Sequence, residues 1–207
     1  MSIQTIIPLF FGIFSALFSM VNPLGAMPMF GALTSHETDE RKRQIAKKAS
    51  FIMVCILVTF YFLGTFIMSF FGISLEAMRI AGGFIIFSSG INLMTGGERA
   101  HLTEETLKKS DISFSPLAMP MLSGPGSISL LIAFHAQQQE VWQHAVVITG
   151  VLMVGLCTYL VLSLTPIALR ALGTEGVSSV SKILGFFIMA IGVQYIINGI
   201  YPLLDKL

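Results

Sequence analysis

The chain has 207 residues, of which 54% are apolar and 11% charged, with a formal net charge of +1 and a mean hydropathy of +0.82. A soluble domain carries about 25% charged residues, so this composition leaves no polar coat and excludes an ordinary soluble fold. Twelve Lys and Arg scattered between apolar runs, without a basic face, exclude a nucleic-acid-binding surface.

Six apolar runs follow one another, each near the ~20 residues needed to cross a bilayer. The first is Ile6–Leu33. No Lys or Arg lies in Met1–Ile7, so it reads as a retained first helix rather than a signal peptide. The charge-dense stretch Ser35–Lys48 precedes the second run, Ala49–Phe71. A tight turn at Phe71–Met78 leads to the third, Ile80–Thr95. The longest connector, Gly96–Ser115, leads to the fourth, Pro116–Phe134. Tight turns at Ala136–His144 and Gly173–Lys182 flank the fifth, Ala145–Leu169, before the sixth, Ile183–Leu203. Barrel strands would alternate over ~10 residues, and none does. The predicted fold is an all-α membrane protein of about six transmembrane helices in contact with the lipid bilayer.

Orientation follows from the basic residues. With both termini outside, ten Lys and Arg face the cytoplasm and two, Arg79 and Lys206, face outward. The expected location is the cell inner (cytoplasmic) membrane, multi-pass, with the termini on the periplasmic side.

Self-comparison gives an internal repeat. At an offset of 102 residues, Pro23 falls on Pro125, Gly83 on Gly185, Phe84 on Phe186, Ile86 on Ile188 and Gly90 on Gly192. Asn92 falls on Gln194 and Cys55 on Cys157, while Gly72 matches Gly173 with a one-residue gap. Each half has three crossings. An odd number makes the second half enter from the opposite side, so the repeats are inverted, as in many secondary transporters. The expected division is a first repeat over 1–97, a cytoplasmic connector over 98–115 and a second repeat over 116–207, all in one membrane domain.

The first and fourth helices are interrupted at matching places. The first reads Asn22-Pro23-Leu24-Gly25 and the fourth Ser123-Gly124-Pro125-Gly126-Ser127. Proline lacks an N–H and clashes with the preceding turn, and glycine adds backbone freedom. In lipid such breaks persist only where protein covers them or they line a wet cavity. They read either as simple kinks or, being paired, as the substrate-binding site of a transporter. The candidate substrate-binding residues are Asn22, Pro23, Gly25, Ser123, Gly124, Pro125, Gly126 and Ser127. The matched amides Asn92 and Gln194 join them, with an interhelical hydrogen bond as the plainer reading.

No Asp, Glu, Lys or Arg lies well inside an apolar run. That argues against a carboxylate proton relay and favours a neutral or zwitterionic cargo. A carboxylate would sit at a half-helix N-terminus, and an ammonium against unwound carbonyls. His36, His101, His135 and His144 lie in or beside connectors without metal spacing and read as solvated loop residues. Neither a metal site nor a catalytic constellation is expected.

Several motifs carry a family resemblance: N-P-L-G at Asn22–Gly25, G-I-S then R-I-A-G-G across Gly72–Gly83, P-L-A-M-P at Pro116–Pro120, G-P-G at Gly124–Gly126, and G-V-Q-Y-I-I-N-G-I at Gly192–Ile200. In order over nearly the whole chain, they resemble the MarC family of bacterial and archaeal inner-membrane proteins. The resemblance implies a six-helix protein of the LysE-like transporter group, in which one archaeal branch takes up small neutral amino acids such as glycine and alanine.

The function expected is secondary transport of small neutral amino acids or similar solutes, with no cofactor. Direction, coupling ion (sodium or proton), cargo identity and homo-oligomerisation are left open. Alternatives are a membrane thiol-redox carrier using Cys55 and Cys157, a membrane enzyme, and a small channel or exporter for another solute. The cysteines lie away from the prolines, where simple burial is the plainer reading.

Overall fold

The computed structural model describes residues 3–95, 113, 117–118, 122–138 and 140–204. The expected connector over 98–115 therefore lies, Ser113 apart, outside the described residues, as does His101. The described chain is helical, and no strand occurs among the described residues.

The first crossing is two helices, α1 (Ile3–Val21) and α2 (Pro23–Leu33), separated by Asn22 alone. Next comes α3 (Asp39–Phe71), begun by Thr38, whose hydroxyl accepts from the Arg41 N–H at 3.3 Å, and by Asp39 and Glu40 in its first turn. Acidic residues there offset the positive end of the helix dipole. At its other end Gly72 takes φ 64°, and the Ile73 N–H donates to Met68 O at 2.9 Å. Glycine reaches this left-handed conformation without a Cβ penalty. Ser74 then caps α4 (Leu75–Thr95), accepting from the Ala77 N–H at 3.1 Å.

The fourth apolar run holds α5 (Pro125–Gln137). The segment Val141–Leu204 is helical except at Gly173, with φ 68° and ψ 172°. Two membrane spans lie within it, α6 (Val141–Ala171) and α7 (Gly185–Leu204). The expected tight turn at Gly173–Lys182 is thus a helix break at one glycine, followed by helix over 174–182. Gly72 and Gly173, equivalent in the repeat, are the glycines with positive φ among the described residues.

Among the described residues four stretches are, by length and composition, long and apolar enough to cross a membrane: Thr5–Met27, Asp39–Phe71, Val141–Ala171 and Gly185–Leu204. Helix α4 has the length, 21 residues, but Gly82, Gly83, Ser88, Ser89, Gly90 and Asn92 dilute its apolar character. At 13 residues α5 spans about 20 Å, short of a whole crossing. Both follow from composition: small and polar residues serve helices that face other helices rather than lipid.

The core forms where α1, α2, α3, α5 and α6 meet, with Ile13, Leu17, Phe30, Met53, Leu57, Leu130 and Val151 fully or almost fully buried. Helices α4 and α7 pack backbone to backbone. A methyl on Gly83 would lie 2.7 Å from Gly192 O, and one on Gly90 would lie 2.6 Å from Gly185 O. Their outward residues Phe84 and Phe186 are each 59% exposed, as suits side chains that face lipid.

Candidate functional site

The first break is narrow. Asn22 has φ 45°, the positive-φ non-glycine residue among those described. Asparagine enters this region more readily than most residues. Its N–H still bonds Phe18 O at 2.9 Å, and its carbonyl accepts from Ala26 N–H at 3.2 Å. Its side-chain Oδ1 accepts from the Gly25 N–H at 3.1 Å. Asn22 therefore acts as the N-cap of α2, with Pro23 at the first helical position, where a missing N–H costs nothing. Pro23 and Gly25 are buried, and Asn22 is half-buried.

The second break is wound differently. Leu117, Ala118 and Leu122 lie in a wider π-type turn, with the Ser123 N–H donating five residues back to Ala118 O at 3.0 Å. The Ser123 hydroxyl donates to the same carbonyl at 2.8 Å. Gly124 is extended (φ −64°, ψ 164°) and starts α5, with Pro125 next and no side chain capping the helix. The Ser127 hydroxyl turns back to Gly124 O at 2.9 Å. Ser123 and Ser127 are both buried, and each hydroxyl satisfies a carbonyl of its own break. Asn22 and Gly124 are equivalent in the repeat yet differ in backbone conformation, because Asn22 brings its own cap and Gly124 has none.

The two breaks meet. A methyl on Gly126 would lie 3.1 Å from Met20 Cε and 2.9 Å from Ile86 Cγ1. The N-terminal turn of α5 thus rests on the last turn of α1 and on α4. Gly126 is packed, so its missing side chain serves helix contact. The uncapped end of α5 leaves the Gly126 and Ser127 amides without a side-chain acceptor, and partial positive charge collects at such an end.

Gln194 is exposed on α7 and donates to Asn198 Oδ1 at 2.9 Å, one turn on in its own helix. Its partner is intrahelical, where an interhelical bond was expected. Asn92 lies on α4, and its side chain is outside the described residues, as is that of Pro125.

One cluster has no signature in the sequence motifs. Tyr61 of α3 is fully buried, and its hydroxyl lies 2.6 Å from His144 Nδ1 on α6. The His135 ring, on α5, packs T-shaped against Tyr61 at 4.9 Å between centroids and lies 5.1 Å from His144. His135 and His144 are half-buried, so the expectation of solvated loop histidines is corrected for both, while His36 is exposed as expected. Their positions at the two ends of one short loop were the available signal. Nothing local marked Tyr61, 83 positions from His144.

Neither cysteine sits at a break: Cys55 is exposed on α3 and Cys157 half-buried on α6, both as free thiols.

The profile of the MarC family of integral membrane proteins matches residues 7–204. A UPF0056 membrane protein of Methanocaldococcus jannaschii is 34% identical over 191 residues, covering 90% of this chain and 93% of that one. Another from Archaeoglobus fulgidus is 32% identical over 208 residues, covering 97% and 96%. The UPF0056 membrane protein YhcE of Escherichia coli is 31% identical over 198 residues, covering 93% and 92%. No solved structure matches the chain.

Proposed function

The chain belongs to the MarC family of integral membrane proteins, and from that footing we propose that it is a secondary transporter of small neutral, zwitterionic amino acids across the cytoplasmic membrane. The observation that carries this reading is the meeting of two interrupted helices, one from each half of the chain, at Met20–Gly126. Paired broken helices at a repeat interface are the recurring cargo site of such transporters.

The geometry supports a particular use. Helix α2, with 11 residues, is about 17 Å long, and α5 about 20 Å. Each is near half of a ~30 Å hydrocarbon core. With the halves inverted, α2 fills the cytoplasmic half and α5 the outer half, and their N-termini converge near the midplane. An amino-acid carboxylate there would accept from the uncapped Gly126 and Ser127 amides. The ammonium would face backbone carbonyls beside the breaks, so recognition would need no charged side chain. Ser123 and Ser127 hold the break open, and Asn22 retains two amide N–H donors for the cargo.

In this reading 1–97 and 116–207 are the inverted repeats, and they rock about the shared site to alternate access. Ten basic residues against two favour a cytoplasmic position for Arg41–Lys48, the basic start of α3.

The test is proteoliposome flux with radiolabelled glycine and alanine. Wild type should show saturable flux. Gly124→Leu, at the mouth of α5, should abolish it while the protein still purifies folded. Normal flux in Gly124→Leu would move the cargo site elsewhere, and no flux of any amino acid in wild type under any gradient would end the substrate assignment.

A further inference from the structure

Tyr61, His135 and His144 come from three different helices: α3 of the first half, and α5 and α6 of the second. Here they form one contiguous group between the halves. Tyr61 lies 13 residues beyond Lys48 along α3, roughly 20 Å by helical rise. The group therefore sits toward the membrane face opposite the basic Arg41–Lys48 segment that opens α3, and the charge distribution makes that the outer face. Half-burial of both histidines leaves them reachable from that side, while the Tyr61 ring is sealed inside.

We propose that Tyr61, His135 and His144 form a proton-binding site that couples transport to a proton gradient, loaded from the face where α5 ends and α6 begins. The proposal rests on the transporter reading and adds its coupling ion. Histidine is the side chain whose ordinary titration range spans physiological pH. One proton has two good places in this group. On His144 it fixes Nδ1 as a donor to the Tyr61 oxygen, whereas in neutral His144 the direction of that bond follows the tautomer. On His135 it lies on a ring packed T-shaped against Tyr61, 4.9 Å between centroids. A second proton is opposed by like charge, since the imidazole centroids are 5.1 Å apart.

The groups facing the pair are Tyr61 from α3, His144 from α6 and His135 itself on α5. Among the described residues no ion pair involves any of them, and Glu140, four residues before His144, is exposed. A bound proton is therefore not neutralised locally. It is held by Tyr61 of the first half, so loading the pair tightens the contact between the two halves. That is the differential interaction a coupling ion needs to bias one conformation. It also supplies an ionisable group without a carboxylate in the apolar runs.

The test uses the full chain in proteoliposomes and reads two modes with radiolabelled alanine. One is accumulation driven by an inward proton gradient. The other is exchange of labelled for unlabelled alanine at equal pH on both sides. His135→Gln and His144→Gln should each lose accumulation by about tenfold or more while exchange stays within about twofold. Tyr61→Phe should shift the pH profile of accumulation, and Glu140→Gln should behave as wild type. Accumulation that persists in the double histidine variant overturns the proposal and leaves the transport reading standing. Wild-type accumulation that ignores the proton gradient, or equal loss of both modes in the variants, overturns it as well. If wild type moves no alanine in either mode, the transport reading fails, and histidine Cε1 NMR of the purified protein decides the site. Two coupled histidine titrations altered by Tyr61→Phe support a proton site, and independent titrations unaffected by it exclude one.

Discussion

Gly83 and Gly192 pack backbone against backbone: a methyl on Gly83 would sit 2.7 Å from the Gly192 carbonyl oxygen, and one on Gly192 would sit 2.8 Å from that of Gly83. The 102-residue offset carries this pair onto Gly185 and Gly90, where the corresponding distance is 2.6 Å. It also carries Gly192 against the Phe87 amide (2.6 Å) onto Gly90 against the Met189 amide (2.8 Å). One rotation that exchanges α4 and α7 accounts for both sets. The glycines let the two helices approach as small residues do in membrane interfaces.

Gly83→Ala, Gly90→Ala and Gly192→Ala should each destabilise the protein, by about 1–3 kcal/mol if the helices must move apart. Backbone atoms, which cannot turn away, stand where each new methyl would go. Thermal unfolding in detergent checks this, with Phe84→Leu on the exposed face as the unaffected reference. Because Gly90 and Gly192 occupy equivalent contacts, their losses should be similar. An unchanged melting temperature in all three would remove the close approach.

At Asn22 two substitutions should part company. Asn22→Gly fits φ 45° and should cost only about a few tenths of a kcal/mol. Asn22→Leu loses the cap on Gly25 and forces a bulky side chain into the left-handed region, costing about 1–3 kcal/mol. Equilibrium unfolding of the purified variants measures both. The glycine variant then serves the flux assay, since it stays folded without the amide: retained stability with lost flux would assign the Asn22 amide to the cargo.

Cysteine labelling tests the orientation. In a background with Cys55 and Cys157 replaced by alanine, a single cysteine at exposed Thr38 should resist an impermeant maleimide in intact cells. One at Val141, 85% exposed, should react. The reverse pattern would invert the topology and place the proton site at the cytoplasmic face.

The same Cys55→Ala, Cys157→Ala protein should transport at the wild-type rate. Cys55 is exposed on α3 and Cys157 half-buried on α6, and neither lies in one of the interrupted helices. Loss of flux, restored by either cysteine alone, would favour a thiol-redox role.

Membrane residence, the helical class and the two helix breaks are determined by the sequence alone, because each follows from local chemistry. Runs of apolar residues need lipid, and proline cannot donate to the turn before it wherever it lies. The matched glycines at Gly72 and Gly173 are legible for the same reason: both take a φ that only glycine adopts freely. Contacts between distant segments carry no local signature, and tertiary structure decided them. Gly126 reads as backbone freedom in sequence, and the fold uses it to seat α5 against Met20 and Ile86. Gln194 mirrors Asn92 in the repeat, yet Asn198 one turn away is its partner, because α7 turns that face outward. His135 and His144 look like loop residues until the helix carrying Tyr61 packs against them, burying a phenol whose hydroxyl then needs a partner.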